Sequence, residues 1–134
     1  MAATRRETLP IGTESDVTLV RQRVRDHAKS LGFRLVDSTR IVTAASELAR
    51  NTLVHGGGGE VEIEELDGPA RQGLRLVFTD RGPGIPDIAL AMTDGYTSGG
   101  GLGMGLSGSR RLADEFEIAS SPGAGTRVAI IKWK

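Results

Sequence analysis

Val17, Val20, Val24, Ala28 and Leu31 recur three or four positions apart, the spacing that lines one side of an α-helix. Thr13 stands where an N-cap belongs, Asp16 completes a capping box three residues on, and Gly32 supplies the stop. A second stripe of Ile41, Ala44, Ala45, Leu48 and Thr52 predicts a helix from about Ser38 to Val54, ended by His55 and Gly56–Gly59. The period then drops to two. Val61 and Ile63 alternate with glutamates as in a half-buried strand, and Leu74, Leu76, Val77 and Phe78 read as a more fully buried one. Thr79 to Pro86 is turn-rich, and Asp87 can cap a short helix through Met92. Thr93 to Gly103 has almost no periodicity and reads as a mobile loop. Gly105 to Ala113 returns to helical spacing, and strands follow at 115–120 and 126–133 around the turn Ser121–Gly125. Leu9 and Ile11, within residues 1–12, fit an edge strand. Helices, a hairpin, short helices and a second hairpin predict the α+β class, a two-layer α/β sandwich with helices over a mostly antiparallel sheet.

Composition narrows the class. The 134 residues suggest one domain, 1–134, able to bury a core without staples. Lys+Arg and Asp+Glu both number 17, so the overall basic excess of a nucleic-acid binder is missing. The chain has no cysteine, which excludes disulfides, thiolate zinc sites and a cysteine nucleophile. Two histidines are too few for a histidine-rich metal site. No apolar run approaches a membrane span. Arg5-Arg6 resembles an export signal only in those two letters, because Glu7 to Val17 is too polar for its hydrophobic segment. A cytoplasmic protein, away from membranes, is expected. On the first helix, Arg21, Arg23, Arg25 and Lys29 form either a solvated face or a docking surface.

Glycine is the anomaly, at 19 residues, about twice the usual share of ~7%. Gly103, Gly105 and Gly108 match a dinucleotide-binding fingerprint by letter. That motif needs a strand before it and an acidic residue roughly 20 positions later, and position 128 is Val. A Walker-type Gly-Lys-Ser/Thr is also missing. Gly99, Gly100, Gly101, Gly103 and Gly105 nevertheless lead straight into a helix, whose free amides suit phosphate as well as they suit a flexible loop. Asp80-Arg81-Gly82-Pro83-Gly84 follows the buried strand. It is either an ordinary turn or a carboxylate placed for the amino edge of a flat base. Glu47 and Asn51, four apart, share a helix face beside the buried stripe. A carboxylate there implies chemistry or a salt bridge to Arg50 or Arg40.

In order and spacing, these three features together resemble the GHKL superfamily of ATP-binding domains, with its Bergerat fold, shared by histidine kinases, gyrase, Hsp90 and MutL proteins. Glu47-Leu48-Ala49-Arg50-Asn51 resembles its asparagine box, Asp80-x-Gly82-x-Gly84 its first glycine box, Gly101-Leu102-Gly103-Met104-Gly105-Leu106 its second, and Gly125-Thr126 its closing Gly-Thr element. The likeness spans roughly 38 to 133. Short length and the glutamate four before the asparagine are similar to the bacterial serine/threonine kinases of the anti-sigma type. The run Asp94–Gly103, the segment Arg110–Phe116 and Ile131-Lys132-Trp133 resemble their stressosome switch-kinase branch. Gly56–Gly59 is richer in glycine than that branch leads one to expect.

The resemblance implies a role for each matching residue. Asn51 would ligate the Mg²⁺ that bridges the ATP phosphates, and Glu47 would be the general base. Asp80 would accept from the adenine 6-amino group, with Gly82 and Gly84 passing close to the base and Thr126 adding a hydroxyl. Residues 94–105, including Gly99 and Gly100, would form a lid. Amides of Gly101, Leu102, Gly103, Met104, Gly105 and Leu106 would surround the phosphates, with Thr97 and Ser98 near the γ-phosphate. Arg50 would contact phosphate or a partner. The implied reaction is phosphorylation of a serine or threonine on a STAS-domain antagonist, and the implied second role is activation of a PP2C-type phosphatase. The alternative from the same family is an anti-sigma factor that sequesters a sigma factor.

Overall fold

The computed structural model describes residues 2–84, 92 and 104–134. The elements are β1 (Ala2–Ile11), α1 (Glu14–Ser30), α2 (Leu35–Val54), β2 (Gly59–Asp67), β3 (Gln72–Asp80), α3 (Met104–Leu112), β4 (Glu115–Ser120) and β5 (Thr126–Trp133). The expected short helix after Asp87 and the loop from Thr93 to Gly103 lie outside the described residues, Met92 excepted.

α1 starts where its cap residues require. Thr13 Oγ1 accepts from the Asp16 amide at 3.2 Å, and Asp16 Oδ2 accepts from the Thr13 amide at 3.1 Å. Each satisfied end amide is worth about 1 kcal/mol. Gly32 ends the turn at φ 80°, a conformation that carries no Cβ penalty in glycine. α2 begins three residues before the expected Ser38, at Leu35. Leu35 and Val36 are 82% and 59% exposed, so the first turn contributes nothing to the apolar stripe that marks the rest.

The five strands run in the order β1-β2-β3-β5-β4 with every neighbouring pair antiparallel. β5 enters between β3 and β4, so the connection carrying α3 passes over it. Register stacks the core: Leu76 lies between Ile63 and Ile130, and Phe78 between Val61 and Val128. These residues meet Val20, Val24, Ile41, Ala45 and Leu48 of the helices in one cluster. Truncating one of the fully buried members, such as Leu76→Ala, costs about 2–5 kcal/mol.

β2 is more buried than its alternating glutamates suggest, because distant partners neutralise them. Glu64 takes Arg75 at 2.8 Å and Arg6 at 3.1 Å, and Glu65 meets His27 Nδ1 at 2.5 Å. Burial pushes the Glu64 carboxyl up, but hydrogen bonds from Glu62, Arg6 and Arg75 outweigh it and hold the group below its ordinary value. On α1, Arg23 is committed to Glu7 at 2.8 Å and Asp26 at 3.0 Å, whereas Arg25 and Lys29 are exposed. Lys132, itself buried, ties β5 to Asp37 of α2 at 3.5 Å and to Asp114 at 3.0 Å.

Candidate functional site

Three strand ends converge at Asp80. It closes β3 opposite Gly59 of β2 and Thr126 of β5. Side chains alternate along a strand, so Asp80 points to the same side as Phe78 and Leu76, towards the helices. Its Oδ1 accepts from the Gly82 amide at 2.9 Å, turning the chain, while Oδ2 has no partner among the described residues. The turn then reaches Gly84, at φ 81°, where a Cβ would stand 2.1 Å from the Ser121 carbonyl oxygen. Pro83 O accepts from the Gly123 amide at 2.7 Å, which clamps this loop to the β4–β5 turn.

The C-terminal half of α2 forms the opposite wall. Leu48, Asn51, Thr52 and His55 line one pocket with Gly56, Phe78, Asp80, Pro83, Gly84, Leu106, Thr126 and Val128. The floor is apolar, and the polar groups are few: one carboxylate, the Asn51 amide, an imidazole and two hydroxyls. Thr52 Oγ1 is spent on the Leu48 carbonyl at 2.9 Å. Thr126 Oγ1 lies 2.8 Å from Ser120 Oγ, which also donates to Gly125 O at 2.9 Å. Asn51 Nδ2 is buried with no hydrogen-bond partner among the described residues, a state that costs about 1–3 kcal/mol unless a ligand relieves it. α3 starts at Met104 and lines the pocket through Leu106, in its first turn, so the N-terminal end of the helix lies at the cleft.

Asn51, Asp80, Gly84, Leu106 and Thr126, separated along the chain, are thus brought to one cavity, with Gly82 beside them. Thr97, Ser98, Gly99, Gly100, Gly101, Leu102 and Gly103 lie outside the described residues, and Met104 and Gly105 are placed only as the first residues of α3. Glu47 and Arg50 do not line the pocket. Arg50 is exposed and stands 3.7 Å from Glu14 of α1. Glu47 is exposed, one turn before Asn51, and pairs with neither Arg50 nor Arg40, so the salt bridge considered for it is not formed among the described residues.

Leu48, Thr52, His55, Gly56, Phe78, Pro83 and Val128 also line the pocket and were not foreseen as site residues. Phe78 had a legible signal, two residues before Asp80 on the same face. Gly56 did not. A Cβ there would meet Asp80 Cγ at 2.4 Å, and one at Gly125 would meet Asp80 O at 2.1 Å. Gly56, the first of the glycine tract after α2, is therefore the backing on which the Asp80 carboxylate rests.

Residues 36–134 match the family described as histidine kinase-, DNA gyrase B-, and HSP90-like ATPase. The chain is 49% identical over 123 residues to the serine/threonine-protein kinase RsbT of Bacillus subtilis (strain 168), covering 92% of each. It is 33% identical over 105 residues to the anti-sigma F factor of Clostridium novyi (strain NT), covering 70% of this chain and 69% of that one. Among solved structures, the RsbU and RsbW domains of a Mycobacterium tuberculosis protein superpose with a TM-score of 0.68 at 21% identity, over 98% of this chain and 33% of that one, a likeness of fold.

Proposed function

Because the chain belongs to the histidine kinase-, DNA gyrase B- and HSP90-like ATPase family, we propose that residues 1–134 act as one ATP-dependent serine/threonine kinase unit of a partner-switching module. The observation that carries this reading is the convergence of Asn51, Asp80, Gly84, Leu106 and Thr126 on a single apolar pocket. The adenine ring lies between Leu48, Phe78 and Val128, and its 6-amino group donates to Asp80 Oδ2, the oxygen that Gly82 leaves free. The first amides of α3 face the phosphates, where the positive end of the helix favours negative charge.

Asn51 fits the role of magnesium ligand. Its side chain lines the pocket, with Nδ2 buried and unpaired among the described residues, and the other end, Oδ1, is the hard oxygen donor that Mg²⁺ accepts. Among the described residues no cluster of three His, Cys, Asp or Glu could hold a metal, so phosphate oxygens and water would complete the shell. Bound Mg²⁺ supplies neutralisation of phosphate charge.

Glu47 is exposed one turn from Asn51 and unpaired among the described residues, where a hydroxyl delivered by a protein partner can reach it. It takes the proton as that hydroxyl oxygen bonds to the γ-phosphorus and the bond to the ADP oxygen breaks. The substrate of this reading is a serine or threonine of a STAS-domain antagonist, and the released kinase activates a PP2C-type phosphatase. The likeness to anti-sigma F factors supports a second reading, sequestration of a sigma factor. A native pull-down separates them: STAS proteins and a phosphatase in one case, a sigma factor in the other.

The decisive experiment compares Glu47→Ala with Asn51→Ala for ATP affinity, melting temperature and single-turnover phosphotransfer. Asn51→Ala loses Mg²⁺-dependent ATP binding and transfer together. Glu47→Ala keeps ATP binding and Tm but transfers about 10²–10⁴-fold more slowly. Near wild-type transfer by folded Glu47→Ala removes it as the base.

A further inference from the structure

The outer surface of the two long helices holds a groove that the nucleotide pocket does not use. Arg25 and Lys29 of α1 form one side, Phe33 and Val42 the floor, and Leu35, Ser38, Thr39 and Thr43 of α2 complete the lining. Arg25 and Lys29 stand one turn apart on the same helix face. Both are exposed, and neither pairs with a carboxylate among the described residues, although neighbouring Arg23 and Arg34 are held by Glu7 and Asp37. Among the described residues no carboxylate lines the groove. Its floor is recessed, with Phe33 9% and Val42 8% exposed, while Leu35 at the rim is 82% exposed, the highest of any large apolar side chain among the described residues.

A furrow between two packed helices has the shape that receives a third. Two unpaired cations beside an apolar floor are complementary to carboxylates beside apolar anchors. A flat anionic membrane would meet the cations but could not reach the recessed floor. We propose that this groove docks an acidic amphipathic helix of a protein partner. The inference does not depend on the kinase reading, because Thr43 and Asn51 are about two turns apart on α2, roughly 12 Å along its axis. A partner held here leaves the nucleotide pocket open.

The test selects from a randomised library of helical peptides about four turns long, using the full chain with and without ATP. Leu35→Cys, the sole cysteine in a chain that has none, carries a polarity-sensitive dye to report occupancy. Enriched peptides should combine apolar anchors at helical spacing with carboxylates one turn apart, and should shift the dye. The double variant Arg25→Glu/Lys29→Glu should bind them about tenfold more weakly with ATP affinity unchanged, and should prefer counterparts bearing lysine in place of the carboxylates. Leu35→Asp, at an exposed rim position, should weaken the same peptides and serves if the double variant does not fold. Failure of any sequence to enrich, enrichment without carboxylates, or affinity indifferent to charge reversal overturns the proposal. So does binding of phosphatidylserine vesicles in place of peptide, or self-association abolished by Leu35→Asp.

Discussion

Gly56 and Gly57 are neighbours whose replacement by alanine should have different consequences, and the contrast tests the proposed seat of the adenine. A Cβ on Gly56 would lie 2.4 Å from Asp80 Cγ, 2.5 Å from its Cβ and 2.6 Å from Oδ2. Non-bonded carbons need about 3.5–4.0 Å, so one group must retreat by more than about 1 Å. Gly56 does not have a positive φ, so its own backbone accepts alanine and the strain falls on Asp80. The root of that side chain is held in the sheet between Gly59 and Thr126. The carboxylate therefore swings, and a hydrogen bond of about 2.9 Å to the nucleotide amino group stretches beyond its useful range. Losing a bond to a charged acceptor costs about 1.5–3 kcal/mol, or roughly 12–150-fold in ATP affinity. Overpacking removes about 1–3 kcal/mol of stability as well. Gly57, at φ 72°, has nothing within 4 Å. Alanine there strains only the backbone, by about 1–2 kcal/mol, and should leave ATP affinity at the wild-type value. Calorimetric titration with ATP·Mg²⁺ and a thermal melt on each variant separate the two. Equal loss of ATP affinity in both, or wild-type affinity in folded Gly56→Ala, would refute the argument that Gly56 seats Asp80 for the nucleotide.

The same pocket should prefer ATP to GTP by roughly 5–150-fold, because guanine turns a carbonyl oxygen towards Asp80 and leaves two acceptors facing; equal affinities in a competition titration would remove Asp80 from the role. The hydrogen bond from Arg23 holds the Glu7 carboxyl below its ordinary value of 4.5, against an opposing push from burial. A depressed carboxylate stabilises the fold above its unfolded pKa, and that contribution disappears as pH falls through the folded value. Arg23→Gln should therefore flatten the stability loss below about pH 4.5, and urea titrations with an unchanged acid limb would sink the assignment. Lys132→Met leaves buried Asp37 with only the exposed Arg34 beside it among the described residues, at 3.4 Å, and should cost less in urea unfolding than the ~3–5 kcal/mol of a fully unpaired buried charge. Adding Asp37→Asn should recover part of the loss, whereas strictly additive losses would show that the pair is not coupled.

What periodicity could reveal, it revealed well. The Thr13 cap, the Gly32 stop, both helix stripes and the strands at 115–120 and 126–133 all depend on residues within a few positions of one another, and all stand as read. The early start of α2 was hidden for the same reason, since an exposed Leu35 and Val36 do not extend the stripe. Candidate site residues were legible where a motif carries the chemistry in its own letters, as with Asn51 and Asp80.

The sequence by itself determined local conformation, the α+β layering and the family, because those rest on short-range spacing and on motifs read in order. Tertiary structure alone decided which groups meet. Insertion of β5 between β3 and β4 puts Thr126 opposite Asp80, and the same closure brings Gly56, Gly84 and Gly125 against backbone or side chains far along the chain. It also explains how Glu64 and Glu65 become buried, since Arg6, Arg75 and His27 are remote in sequence. Burying a charge is tolerable only with a partner at hydrogen-bonding distance, and such distances are properties of the closed sheet with its helices in place rather than of any window of residues.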